Sequence, residues 1–218
     1  MSEQYDEHEQ SERVKQWVLK NGSNILTFIL LIVAAISAWQ WWQGKQNKDT
    51  QEAANQYQTF IAAIEKPDVA KATVLGNAFI KNYTKSDFAF LASLRMAKMH
   101  LEQGKPELAM SALESAKSVA HNPQQLELLA IRKVQVSVSQ ANYTQADKQL
   151  KAFKPQYYLA TYDELQGDLA LAKNQTAQAA SFYQSALSKL DTAASSRMLI
   201  EMKLSEAGGI ASKPSEIR

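Results

Sequence analysis

Twenty-four consecutive residues, Asn21 to Gly44, carry no charge. Within them, Ile25-Leu26-Thr27-Phe28-Ile29-Leu30-Leu31-Ile32-Val33-Ala34-Ala35-Ile36 is almost wholly apolar, and Ser37-Ala38-Trp39-Gln40-Trp41-Trp42 follows. As a helix rising about 1.5 Å per residue the run reaches roughly 36 Å, enough to cross a hydrocarbon core of about 30 Å. Trp39, Trp41 and Trp42 stand at one end and Trp17 just before the other. Amphipathic indoles favour the headgroup layer, so these four are the expected contacts with membrane lipid. A buried core helix is the poorer reading, because soluble domains seldom hold so long an uncharged run. A cleaved signal peptide is opposed by the segment before the run. Glu3, Asp6, Glu7, Glu9 and Glu12 outweigh Arg13, Lys15 and Lys20 there, a net −2 where a signal peptide opens positive. The expectation is one uncleaved transmembrane helix over 21–44, preceded by a short tail, 1–20.

Basic residues flank this span three to two, with Arg13, Lys15 and Lys20 before it and Lys45 and Lys48 after it. That weakly favours a cytoplasmic N-terminus. The remainder carries 21 basic and 17 acidic residues, a mild +4, and the chain has no cysteine. Disulfides, thiolate metal sites, a cysteine nucleophile and a lipidated cysteine are thereby excluded.

Past the span the sequence predicts an all-α fold over 45–207. Pro67, Gly104-Lys105-Pro106, Asn122-Pro123, Lys154-Pro155 and Gly208-Gly209 interrupt it at helix-sized intervals. Three segments share one internal spacing. They are Ala97, Gly104, Ala109, Ala116; then Val134, Ala141, Ala146, Phe153, with Tyr143 between; then Gly167, Asn174, Ala179, Ala186. Successive segments are offset by close to the period of a tetratricopeptide helix–turn–helix unit, roughly 34 residues. Small residues at the crossing points let the two helices of a hairpin approach closely. Each hairpin leaves an apolar face that its neighbour must cover, so the repeats should stack as a solenoid. Gln51–Ile64 and Val69–Lys81 are expected to form a divergent first pair, and Ala193–Glu206 a C-terminal cap. Residues 208–218 read as a flexible tail.

His8, His100 and His121 are scattered without a second ligand at metal spacing, and no phosphate-binding loop or nucleophile motif is present. Asp163, Glu164 and Asp168 read as a solvated, acid-rich helix start. Basic residues are dispersed among acids, which speaks against nucleic acid. No catalytic residue, cofactor or metal site is expected. Function should instead reside in the concave surface that the first helix of each repeat lines. Its expected residues are Leu91, Leu94, Lys98 and Leu101, then Leu128, Ile131, Gln135 and Val138, with Arg95 and Arg132 beside them. The third repeat would add Thr161, Glu164, Asp168 and Leu171. The face lacks the Lys/Asn pattern that grips a terminal carboxylate. Two readings stand: an apolar groove open to a partner segment, or one filled by the chain's own Gln51–Ile64 helix.

The order of features carries a resemblance. An acidic tail precedes Glu12-Arg13-Val14-Lys15-Gln16-Trp17-Val18-Leu19-Lys20-Asn21-Gly22, and the span closes on Trp39-Gln40-Trp41-Trp42. Then come Ala54-Asn55-Gln56-Tyr57, Leu91-Ala92-Ser93-Leu94-Arg95-Met96-Ala97, Leu165-Gln166-Gly167-Asp168 and Met198-Leu199-Ile200-Glu201-Met202-Lys203-Leu204. The chain resembles, over nearly its whole length, the ancillary subunit of the bacterial SecYEG translocon, a tetratricopeptide protein of Gram-negative inner membranes. The resemblance implies a single-pass inner-membrane protein with a cytoplasmic N-terminus and a periplasmic repeat domain. It further implies association with the translocon and with a membrane-anchored periplasmic chaperone of prolyl-isomerase type. The implied role is a scaffold or chaperone-adaptor helping to hand secretory proteins to periplasmic chaperones. The alternatives are a structural scaffold for another envelope assembly, or a regulator acting through its cytoplasmic tail.

Overall fold

Helices alone make up the regular structure of the computed structural model, which describes residues 3–66 and 68–210. In chain order they are α1 (Glu3–Ile64), α2 (Val69–Asn82), α3 (Asp87–Glu102), α4 (Pro106–Ser115), a 3-10 turn (Ala116–Val119), α5 (Pro123–Ser139), α6 (Tyr143–Lys151), α7 (Leu159–Ala172), α8 (Thr176–Ser188) and α9 (Arg197–Glu206). The chain divides into two compact units, Met1–Glu52 and Ala53–Arg218. The expected all-α architecture, with one apolar N-terminal helix before a helical-hairpin array, is what the structure shows. The break expected at Pro67 lies outside the described residues.

In the first unit, α1 holds the one stretch, among the described residues, that is long and apolar enough to cross a membrane, and none of it is buried within the protein. Two of its polar side chains turn back on their own helix. Asn21 Nδ2 donates to the Trp17 carbonyl (2.9 Å) and Thr27 Oγ1 to the Ser23 carbonyl (2.8 Å). Such bonds satisfy donors that hydrocarbon cannot. Trp17, Trp39, Trp41 and Trp42 are all exposed, and the rings of Trp39 and Trp42 lie 5.5 Å apart.

The second unit is a run of hairpins: residues 53–64 of α1 packed on α2 through Phe60, Ala63, Ala72 and Phe79, then α3 with α4, α5 with α6, and α7 with α8, with α9 closing the series against α8. Each of the three repeats read from spacing is one of these hairpins. The small residues lie where two helices cross: Ala97, Ala109, Ala116, Val134, Ala146, Ala179 and Ala186 are all buried.

One backbone turn joins the helices of every repeat. Gly104, Ala141 and Asn174 have φ of 68°, 54° and 61°, the left-handed region. The amides that follow bond back across the turn, Lys105 to the His100 carbonyl, Asn142 to Ser137 and Gln175 to Ala170, each at 2.9 Å. This is a Schellman closure, which satisfies carbonyls a helix end leaves bare. Asparagine tolerates that conformation, so Lys173-Asn174-Gln175 makes the same turn without glycine. The turn then occurs a fourth time. Gly208 has φ 77°, and Gly209 N–H donates to the Leu204 carbonyl at 2.9 Å. Gly208 follows Asn174 by one more repeat length, so α9 is in register as the first helix of a fourth repeat. The expected flexible tail therefore begins with an ordered turn, while residues 211–218 lie outside the described residues.

A second regularity concerns size. The same interval separates Phe60 from Gly76, Ala97 from Leu113, Val134 from Leu150 and Gly167 from Tyr183, and all eight are buried. One member of each pair is on the first helix of a hairpin and the other on the second. At Gly167 a Cβ would sit 2.5 Å from the Tyr183 ring, and at Gly76 one would sit 2.7 Å from the Phe60 ring. The first hairpin thus uses the same crossing with large and small exchanged, which is why its small-residue spacing is not visible in the sequence.

Candidate functional site: the face of the first helices

The expected groove residues divide by burial. Leu91 is 42% exposed, Arg95, Lys98 and Arg132 are exposed, and Leu94, Leu101, Leu128, Gln135 and Val138 are half-buried. Leu94, Leu101 and Leu128 rest on one core cluster, which contains Phe90, Leu113, Leu129 and Val136. Ile131 departs from the expectation. It is 1% exposed and belongs to the core between the second and third repeats, with Val134, Leu150 and Leu165. It supports the face from beneath.

The self-plugging reading meets a different outcome. Residues 53–64 pack in a cluster with Phe79, Ala92 and Met96, and the Tyr57 ring lies 5.2 Å from Phe88. That segment is the first helix of the first hairpin, and it leaves Leu91, Arg95 and Lys98 exposed.

In the third repeat the solvated acidic cluster is corrected. Asp163 is only 7% exposed and accepts from Ser185 Oγ and Lys189 Nζ on α8 and just beyond it. Glu164 accepts from Lys203 Nζ (2.6 Å), and Asp168 accepts from the same ammonium (2.9 Å) and from Tyr183 OH (2.8 Å). The three acids tie α7 to α8 and α9. Burial opposes the Lys203 charge, but the hydrogen bonds and charges of Asp168 and Glu164 outweigh it and raise the Lys203 pKa. Burial and the Asp168 carboxylate push Tyr183 well above the usual phenol range, so its hydroxyl stays a donor at neutral pH. Sequence reasoning missed this because the partners lie on other helices, well outside any local window of the chain.

Two more residues were missed. Met198 and Met202 stand one repeat length after Glu164 and Asp168, in step with the fourth turn, and are 73% and 64% exposed. They continue the face onto α9. The signal that could have found them is the Gly208-Gly209 spacing.

Glu127 is a further buried acid, 8% exposed, on α5. Its carboxylate accepts backbone N–H groups of Gln156, Tyr157 and Tyr158 at 2.7–3.1 Å. It thereby fixes the loop that enters α7, where no side chain of the loop caps the helix. His100 is buried, and desolvation together with the nearby Lys105 charge lowers its pKa, leaving a neutral ring. Among the described residues no group of three or more metal-ligating side chains converges.

Comparison with known proteins agrees with this architecture. Residues 15–209 match the model of the tetratricopeptide repeat-like domain. A relative from Escherichia coli (strain K12) named ancillary SecYEG translocon subunit is 28% identical over 203 residues, covering 91% of this chain and 95% of the relative. Its namesake from Aggregatibacter actinomycetemcomitans is 27% identical over 199 residues, covering 91% and 96%. The namesake from Haemophilus influenzae is 24% identical over 186 residues, covering 85% and 91%. No solved structure matches the chain significantly. With the family model spanning the end of the N-terminal tail, the apolar stretch and every hairpin, the chain belongs to the tetratricopeptide repeat-like domain family.

Proposed function

We propose that this chain is a membrane-anchored scaffold and chaperone-adaptor at the Sec translocon. The observation that carries the reading is colinear similarity: relatives named ancillary SecYEG translocon subunit align over about nine-tenths of both chains. The apolar part of α1 is the inner-membrane span, with residues 1–20 cytoplasmic and the repeats periplasmic. The span holds the repeats close to the channel, so each client contact can be individually weak and still be populated. The face built from Leu91, Leu94, Leu101, Leu128 and Val138, with Arg95, Lys98, Arg132 and Gln135 among them and Met198 and Met202 continuing it, receives partner segments. A membrane-anchored prolyl-isomerase-type chaperone is the expected recipient of emerging secretory proteins.

Protease added to intact spheroplasts tests the topology, and translocon co-purification tests the association. The repeat unit is expected to be digested, and the full chain to co-purify with the channel. Detaching the repeats from residues 21–44 should sharply reduce that co-purification. Protection of the repeats, or failure of the full chain to co-purify, overturns the reading.

A further inference from the structure

The first two repeats present a feature that the translocon reading does not use. Arg95 and Arg132 each lie just before the small crossing residue of their helix, Ala97 and Val134. Their helices run side by side in the same direction. Near the starts, Gln125 Nε2 donates to Asp87 Oδ1 (2.9 Å); near the ends, Gln140 just past α5 donates to Glu107 (3.2 Å) in the first turn of α4, which follows α3. Arg95 is about as far beyond Asp87 as Arg132 is beyond Gln125, so the two stand level within about one residue's rise of 1.5 Å. Both helices contribute to one core cluster, together with α4 and the 3-10 turn.

No carboxylate of the described residues neutralises either guanidinium. Among the described residues Arg95 has no hydrogen-bond or ion-pair partner, and Arg132 donates only to the neutral Gln135 Oε1 (2.8 Å). Several other basic residues of the repeats are paired. Lys133 pairs with Glu114, Lys151 and Lys173 with Asp147, and Lys189 with Asp163. The acids of the same helices are engaged elsewhere, Glu102 by Lys98 and Glu127 by the backbone amides before α7. In the third repeat Glu164 and Asp168 are held by Lys203.

Resting on the reading of this face as a docking surface, we propose that Arg95 and Arg132 bind an acidic amphipathic helix of a partner protein. Two planar guanidiniums suit bidentate carboxylate recognition. Carboxylates at i and i+7 of a helix stand about 10.5 Å apart along its axis, a spacing that two long, flexible arginine side chains on successive repeats can reach. A helix lying across both would set the apolar residues between its acids on Leu91, Leu94 and Leu128.

The test uses the full chain in phosphatidylcholine nanodiscs and three labelled amphipathic peptides of equal length. They share one apolar face and carry Glu, Gln or Lys at the i and i+7 positions. The Glu peptide is expected to bind about tenfold more tightly than the Gln peptide at low salt, with the advantage fading at high salt. The double variant Arg95→Glu/Arg132→Glu should lose that preference and gain one for the Lys peptide. Arg95→Gln/Arg132→Gln, a milder change at exposed positions, should abolish discrimination with an unchanged thermal midpoint. Equal binding of the Glu and Gln peptides, or of neither, overturns the proposal. Translocon co-purification of the wild-type chain, measured in parallel, separates that result from failure of the functional reading.

Discussion

The seam between the first two repeats and the seam that closes the third are built in opposite ways. Between α3, α4 and α5 the shared core cluster is apolar, from Ala89 and Phe90 to Leu129 and Val136, and among the described residues the arginines above it have no acid partner. Between α7, α8 and α9 an apolar layer of Tyr183, Leu187, Ile200 and Leu204 is overlaid by Asp163, Glu164 and Asp168 with Lys189 and Lys203. Equivalent register positions therefore have different fates. Leu94 stays half-buried and Lys98 exposed, whereas Glu164 and Asp168, their counterparts two repeats on, are engaged by the cap. An interior repeat has a neighbour on both sides and can leave its face open. The terminal repeat has one short helix to hold, and directional ion pairs give that helix a fixed register.

The largest effect should come from the crossing that carries both kinds of contact. Tyr183→Ala removes a fully buried ring packed on Gly167 and leaves Asp168 without its phenol donor. A loss of about 3–5 kcal/mol is expected in denaturant unfolding of the detergent-solubilised chain. A loss below about 1 kcal/mol would show that the terminal seam is not packed as described.

Lys203→Met should have a smaller effect, about 1–2 kcal/mol, because the ammonium is partly solvated and its two acids keep some contact with water. It also sharpens the contrast through pH. A lysine or tyrosine whose folded pKa is raised stabilises the fold fully below its unfolded value and loses that contribution as pH rises through the folded one. Lys203 and Tyr183 are both raised above their ordinary values, so stability should fall at strongly alkaline pH. Thermal midpoints followed above about pH 10 should fall less steeply in Lys203→Met than in the wild type. Parallel curves would remove Lys203 from the seam's energetics.

The smallest effect concerns the turns. Ala141 holds a left-handed conformation at φ 54° that Asn174 and Gly104 adopt more readily. Ala141→Gly should therefore stabilise the second repeat by about 0.5–1 kcal/mol, after the greater entropy of glycine in the unfolded chain is allowed for. A destabilised Ala141→Gly chain would mean that the turn is not under strain.

Much of the array was legible before the structure. Ala97, Gly104, Ala109 and Ala116, with their two echoes, mark helix crossings because a close approach tolerates few side chains. The apolar stretch was legible because hydrocarbon excludes charge. Four features were hidden. Phe60 against Gly76 reverses the expected sizes, and complementarity depends on the sum of two volumes rather than on either residue. Ile131 sits at a groove position in register yet is drawn under the face by Leu150 and Leu165. The Asp163–Glu164–Asp168 cluster looked like a solvated helix start because its cations come from α9 and the end of α8, far along the chain. Glu127 meets its backbone donors in a loop beyond the next helix.

By itself, then, the sequence determined the elements and their period: an uncharged stretch long enough for a bilayer, hairpins spaced by small residues, and helix breaks at glycine and proline. These follow from local sterics and solvation, which act on each residue through its near neighbours. Only the tertiary structure decided which large residue fills which gap, that α9 begins a fourth repeat, and which charges are held inside and which stay free. Those outcomes depend on pairs brought together from distant parts of the chain, where a carboxylate's fate is set by whether a particular ammonium arrives beside it.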